Sequence, residues 1–374
     1  MKTMKHALAL LLALTLVCIL LAGCGTKKIE TDPVTDPATQ TGTQSESGEK
    51  TVKIGLIVGT GGLGDQNFND LAYNGLLEAQ KLYGIEFDYS EPQSASDYAS
   101  YITQYAEDGS YDLIMLNASE AESALEELAP KYPDQKFSII DTMVDCENVM
   151  SIVKDFRDYT FLGGYLAGIM TTHPALQNAN PEANVAISLG VDSELFQSGA
   201  LGYKAGAMLA NPETVVQVGI VGSFSDPATA KESAKMMYDN GADIIMNLNG
   251  GSSLGVFNQA EESNLYSIGV TTNQNPIAPD AIIGSCTENL DRAVVDICKQ
   301  LIDGTWKGGV MEVSISTGYF DIVYDGSNLE IPQDVKDAVA AVRDAVKDGT
   351  LTLPTSEDEL EGWVAEHSNF KYAK

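Results

Sequence analysis

The sequence predicts an α/β protein built as two doubly wound lobes that face each other across a ligand cleft. Three observations predict it. Short apolar runs alternate with longer amphipathic stretches along residues 51–303, the pattern of strands alternating with helices. The same plan is used twice along the chain. The segments that follow the apolar runs are rich in Gly, Asn, Ser, Asp and Phe, a composition suited to hydrogen bonding and stacking of a polar, planar ligand more than to burial of a core.

In chain order, Met1, Lys2 and Lys5 precede an apolar run over 7–22. A basic region before a short apolar one is the layout of a secretory signal peptide. The run ends in Leu21-Ala22-Gly23-Cys24, which resembles a lipobox; cleavage would remove 1–23 and lipid would be attached to the Cys24 thiol. The alternative is an uncleaved membrane helix, for which the run is marginal against a hydrocarbon core about 30 Å thick. Residues 24–50 then hold the lipidated cysteine and a Thr-, Ser-, Gly-, Asp- and Pro-rich stretch with almost no large apolar side chain. Such a stretch cannot bury enough surface to offset its ordering entropy, so a flexible tether is expected. It would hold the remainder at the extracytoplasmic face of the cell membrane, lipid-anchored.

The rest of the chain is long enough for two domains. Strand candidates at 52–58, 85–89, 113–116, 137–140 and 150–153 alternate with helical patterns at 70–83, 98–108, 121–132 and 160–170. A second series places strands at 184–189, 215–221, 244–247, 266–270 and 282–283, with helices near 199–209, 228–240, 255–262 and 290–303. Lys53-Ile54-Gly55-Leu56-Ile57-Val58 leads through a Gly-rich turn into a helix, and Asn184-Val185-Ala186-Ile187-Ser188-Leu189 does the same through Gly190. Ligands of such sheets sit beyond the carboxyl ends of the strands, here 59–69, 117–120, 141–145, 190–196, 223–226, 247–253 and 271–275. Asn117, Asp141 and Asn273 are polar candidates there. The turn at Gly250 and Gly251 would let backbone approach a ligand closely.

Composition narrows the function. A formal net charge of −31 argues against nucleic acid, whose phosphates would repel it. Cys146, Cys286 and Cys298 are too scattered for a disulfide framework or metal spacing. With only His6, His173 and His367, neither a metal centre nor a catalytic triad is expected, and no cofactor. One motif points elsewhere. Gly59-Thr60-Gly61-Gly62-Leu63-Gly64 fits G-x-G-x-x-G after a strand, with Asp88 at the end of the next strand, as in a dinucleotide-dependent oxidoreductase. Against that reading, Asp65-Gln66-Asn67-Phe68-Asn69 separates the turn from the helix whose N–H groups should face a pyrophosphate. The leader also exports the chain away from cytoplasmic nicotinamide cofactors.

Asp65-x-x-Phe68-Asn69, with Ala72 and Gly75 opening the helix, resembles the first-lobe signature of the basic membrane protein family of substrate-binding lipoproteins. So do Tyr111-Asp112-Leu113-Ile114 and Ala129-x-Lys131-Tyr132-Pro133-Asp134-x-Lys136-Phe137. Phe161-Leu162-Gly163-Gly164-Tyr165-Leu166-Ala167-Gly168 is similar to the family's crossing helix. Gly202-Tyr203-x-Ala205-Gly206, Gly222-Ser223-Phe224-x-Asp226-Pro227, Gly241-Ala242-Asp243-Ile244-Ile245 and Asp348-Gly349-Thr350-Leu351-Thr352-Leu353-Pro354 follow in the family's order. The resemblance implies a type I periplasmic-binding-protein fold, with a first lobe of 51–165 plus 283–312 and a second of 166–282 plus 313–374. It implies hinge closure on a small molecule, in many members a purine nucleoside and so expected here, and delivery to ABC permease subunits, with no enzymatic step. Carried over by position, Asp65 and Asn69 hydrogen-bond a base, Phe68 packs beside it and Phe196 is a stacking face. The alternatives are that Asp65 or Asn69 caps the helix and that Phe68, Phe196 and Phe224 are core.

The second lobe departs from the pattern. Where nucleoside-binding members carry Gly-Val-Asp, this chain reads Gly269-Val270-Thr271, and where they carry a Lys after a Ser it has Glu288 in Ser285-Cys286-Thr287-Glu288. Either Glu288 takes over the contact to sugar hydroxyls, or the sugar end is remodelled for a free base, a modified nucleoside or another small ligand. A ligand-sensing or scavenging lipoprotein is a further reading with the same residues.

Overall fold

The computed structural model describes residues 51–65 and 67–372; the leader, Cys24 and the tether lie outside the described residues. Strands β1 (Lys53–Val58), β2 (Glu86–Ser90), β3 (Leu113–Asn117), β4 (Phe137–Ile140) and β5 (Val149–Lys154) alternate with helices α1 (Phe68–Tyr83), α2 (Tyr98–Asp108) and α3 (Glu122–Leu128). After α4 (Phe156–Met170) the alternation repeats. It runs β6 (Asn184–Leu189), α5 (Glu194–Ala210), β7 (Val215–Ile220), α6 (Pro227–Asp239), β8 (Ile244–Leu248), α7 (Ser253–Ser263), β9 (Tyr266–Thr271) and β10 (Ile282–Glu288). The chain ends with α8 (Leu290–Ile302), β11 (Gly309–Val313), β12 (Phe320–Val323), α9 (Gln333–Lys347) and α10 (Glu357–Glu366).

Two six-stranded sheets result, in the orders β11-β5-β4-β3-β1-β2 and β12-β10-β9-β8-β6-β7. Every pairing is parallel except β12 against β10. Helices cover both faces of each sheet, so β3 (LIMLN) and β8 (IIMNL) are buried at every position and read as nearly unbroken apolar runs. On the first sheet, Leu56 and Val58 pack with Leu76 and Ala79 of α1, while Ile57 and Leu116 pack with Ile102 and Leu125. Each such Leu, Ile or Val side chain contributes about 1.5–3 kcal/mol by leaving water.

The chain passes between the sheets after β5, after β10 and after β11, which corrects two expected boundaries. Thr287 and Glu288 pair with β12, and β10 as a whole joins β9, so the return crossing falls at Asn289 and not at residue 283. The polar tail Gly284-Ser285-Cys286-Thr287-Glu288 hid the strand's length. Helix α4 begins at Phe156 and packs along α5, so the first crossing falls at Asp155 and not at 165. That packing is backbone-close. A Cβ on Gly164 would sit 2.0 Å from the Tyr203 carbonyl oxygen, and one on Gly206 2.1 Å from that of Phe161.

Candidate functional site

The carboxyl end of the first sheet is organised by short polar side chains. The Asp65 carboxylate accepts the backbone N–H groups of Asn67 (2.9 Å), Asn69 (3.0 Å) and Asp70 (3.2 Å). It therefore caps α1, the alternative to a base contact, and a carboxylate now lies where a pyrophosphate would need those N–H groups. Asn69 is buried, and its Oδ1 accepts from the Gly59 N–H at 2.8 Å and from Asn117 Nδ2 at 3.3 Å. Asn117 also donates to the Phe68 carbonyl at 3.1 Å. Together these bonds tie the ends of β1 and β3 to the first turn of α1 and hold Phe68 in place.

Lys154, the last residue of β5, joins the lobes. Its Nζ lies 3.0 Å from Asp141 Oδ2, just beyond β4, and 2.7 Å from Glu288 Oε2 at the end of β10. It also stands over the rings of Phe68 (4.6 Å) and Phe156 (5.3 Å). The side chains are 4 % exposed for Lys154, 1 % for Glu288 and 14 % for Asp141, so the pairs sit where charge interactions are strong. Burial pulls the Lys154 pKa down, but the two acids raise it more, and the ammonium stays charged. Burial pushes the carboxyls of Asp141 and Glu288 up against the pull of Lys154. Asp141 Oδ1 and Glu288 Oε1, together with Asn117 Oδ1 and Asn249 Oδ1, are buried with no hydrogen-bond partner among the described residues.

Two residues here hold backbone conformations that non-glycine residues rarely adopt, Asp141 at φ 64° and Thr271 at φ 69°. Each conformation costs about 1–3 kcal/mol and persists only where its surroundings enforce it. One follows a strand of the first sheet and the other ends a strand of the second. The Thr271 hydroxyl shares a 2.8 Å hydrogen bond with Tyr159 OH, fixing it at the crossing.

Aromatic rings complete the second-lobe face. Phe196 stands 5.4 Å from Phe156 and 5.3 Å from Phe224, centroid to centroid. Phe224 is 43 % exposed, so it is not core. Its ring covers Gly190, where a Cβ would meet it at 2.2 Å. Gly250, at φ 57°, and Gly251 lie against Phe224 as well, and its carbonyl accepts the Ser252 N–H at 3.0 Å. Asn273 is exposed and uses its amide on the protein itself, donating to the Asp325 carbonyl beyond β12 at 3.0 Å and accepting from the Asn275 N–H of its own loop at 3.1 Å.

Lys154, Tyr159 and Asn249 are the site residues the sequence reading missed. A lysine closing an apolar strand looks like an ordinary solvated strand end, because its partner Glu288 lies 134 residues away. A cavity of 790 Å³ runs along the crossings, lined by Lys154, Phe156, Leu195 and Val313, and one of 400 Å³ lies near Asn178 and Tyr266. Neither is lined by Phe68, Asp141 or Glu288. Those side chains pack against Lys154 instead, and the constellation marks the site better than cavity size does. Among the described residues no group of His, Cys, Asp and Glu is arranged to hold a metal, and Cys146, Cys286 and Cys298 are free. No described helix is long and apolar enough to cross a membrane.

Paired α/β lobes joined by triple crossings define the two-lobe periplasmic-binding-protein fold. The crystal structure of an ABC transporter system solute-binding protein from Aeropyrum pernix K1 shares this fold, with a TM-score of 0.73 and 22 % identity over 85 % of this chain and 98 % of that one. A family model described as ABC transporter substrate-binding protein PnrA-like matches residues 51–349, and the chain belongs to that family. An uncharacterized lipoprotein of Pyrococcus abyssi is 30 % identical over 296 residues, 75 % of this chain and 72 % of the relative. The ABC transporter nucleoside-binding protein BmpA of Lactococcus lactis is 28 % identical over 327 residues, 81 % and 89 % of the two chains.

Proposed function

We propose that this chain is a Cys24-anchored lipoprotein at the extracytoplasmic face that binds a purine nucleoside and presents it to the permease of an ABC importer. The observation that carries the reading is the pairing of aromatic faces with buried acceptors that have no partner among the described residues, at the ends of both sheets. Phe68 from the first lobe and the Phe196–Phe224 pair from the second supply faces for a base. Asn117 and Asn249 offer buried carbonyl oxygens to its N–H edge, and Asp141 and Glu288 offer carboxylate oxygens to sugar hydroxyls. The name of the Lactococcus lactis relative supports the same ligand class.

In this mechanism the open lobes admit the ligand and ligand favours the closed form, because only closure completes contacts from both sheets. The permease then recognises the closed face. Calorimetric titration of residues 27–374 with adenosine, guanosine, inosine, uridine and free purine bases tests it. One-to-one binding of a purine nucleoside is expected, weakened roughly 5- to 150-fold by Phe68→Ala for the loss of one stacked face. Binding of free bases alone would move the ligand class to a base, and silence across the panel would sink the nucleoside assignment. For the anchor, Cys24→Ser should shift the chain from the membrane fraction to the soluble one.

A further inference from the structure

We propose that Lys154 is a positioning residue that turns one end of the cleft into an acceptor-only subsite. The subsite takes neutral hydroxyl or cationic amine donors from the ligand and rejects anionic groups. The inference rests on the nucleoside reading and goes further, by naming what the ligand must present at this end.

Hydrogen-bonding capacity carries the argument. An ammonium has three N–H donors and no acceptor. Lys154 directs donors at Asp141 Oδ2 and Glu288 Oε2, and its head is otherwise packed over Phe68 and Phe156. Two of its three donors are spent on the protein's own acids, which leaves little of it for a phosphate or carboxylate of the ligand. What the subsite does present is the second oxygen of each acid, Asp141 Oδ1 and Glu288 Oε1, both buried and unpartnered among the described residues. A buried acceptor without a donor is costly, so a ligand group that donates here is favoured and one that only accepts is penalised.

Charge points the same way. One ammonium is shared by two acids in a poorly solvated place, so no surplus positive charge is left for an anionic ligand group, which would meet the acids with little water to screen it. The lysine offsets part of the cost of burying two acids side by side, since it pulls against the burial that raises both carboxyls. It also gives the subsite its geometry. Asp141 belongs to the first sheet's end and Glu288 to the second's, so one donor-bearing group can engage both lobes at once.

The experiment titrates residues 27–374 with a purine ribonucleoside, its 2′,3′-dideoxy analogue and its 3′-monophosphate. The ribonucleoside is expected to bind at least 100-fold more tightly than either of the others. In Glu288→Gln the ribose-to-dideoxy ratio should fall at least tenfold and the 3′-monophosphate should gain relative to the ribonucleoside. Lys154→Met should lose ribonucleoside binding while Lys154→Arg retains most of it, with circular dichroism checking that each variant is folded. A variant that fails to fold leaves the wild-type ratios to decide. Ribonucleoside binding with a ratio near one, or tight 3′-monophosphate binding, overturns this inference and leaves the nucleoside reading standing. Silence of every ribonucleoside overturns both.

Discussion

Replacing Gly164 by Ala tests how the second lobe is held to the crossing. The new methyl carbon would lie 2.0 Å from the Tyr203 carbonyl oxygen and 2.8 and 2.9 Å from two further Tyr203 backbone atoms, where ordinary contact begins at 3.4 Å. The obstacle is backbone and cannot rotate aside, so α4 and α5 must part by more than an ångström. A gap of roughly 0.5–1 Å already forfeits a quarter to a half of the dispersion attraction along it, and all but two of the α4 residues are buried. Overpacking on this scale costs about 3–4 kcal/mol, offset by about 1 kcal/mol because Ala is the better helix former. The expected net loss is about 2–3 kcal/mol, or about 4–10 °C in Tm. Denaturant and thermal unfolding of residues 27–374 measure it. Gly362→Ala in α10 makes the same chemical change where a Cβ meets nothing within 4 Å, and should stabilise by about 0.5–1 kcal/mol. If Gly164→Ala tracks Gly362→Ala, the close helix packing is refuted.

Three further outcomes follow from other parts of the molecule. Gly190→Ala should change stability little, because the exposed Phe224 ring lying 2.2 Å from the new Cβ can swing away. It should weaken ligand binding about as much as Phe224→Ala does, as calorimetry would read. Asp65→Ala should cost about 2 kcal/mol in denaturant unfolding through loss of the α1 cap, while Asp65→Asn, still an acceptor, recovers most of the stability and keeps ligand affinity. A collapse of affinity in Asp65→Asn would restore the base-contact reading. Asp243, which accepts from Thr171 Oγ1 at 2.8 Å and the Asn180 N–H at 3.2 Å, is pushed by burial from 3.8 to about 7. The folded state therefore holds this proton over that window, so the group's stabilisation is fully present below pH 3.8 and is lost as pH rises through about 7. The Tm difference between wild type and Asp243→Asn should shift against wild type from pH 4 to pH 8, and a flat difference would contradict the assignment.

By itself the sequence determined the alternation of strands and helices and the doubling of the plan. Strands of a parallel sheet covered on both faces must be apolar throughout, and Ile54, Leu56, Ile57 and Val58, or Ile244, Ile245 and Met246, carry that signal locally. It also marked the segments that hold Phe68, Asn69, Asn117, Asp141 and Phe224, since strand ends are local features too, while Glu288 stood out only through the family resemblance. Helix α9 was legible but unread, with Val335, Val339, Val342 and Val346 as its buried stripe. The edge strand β11 carries mostly exposed residues and so has no periodicity to find. Packing in three dimensions set the meeting of Lys154 with Glu288, the use of the Asp65 carboxylate on α1, and the approach of two helices at Gly164 and Gly206. Each of those facts is a pairing across a crossing or a turn, and hydrophobic periodicity records which face a residue turns to the core without recording what it meets there.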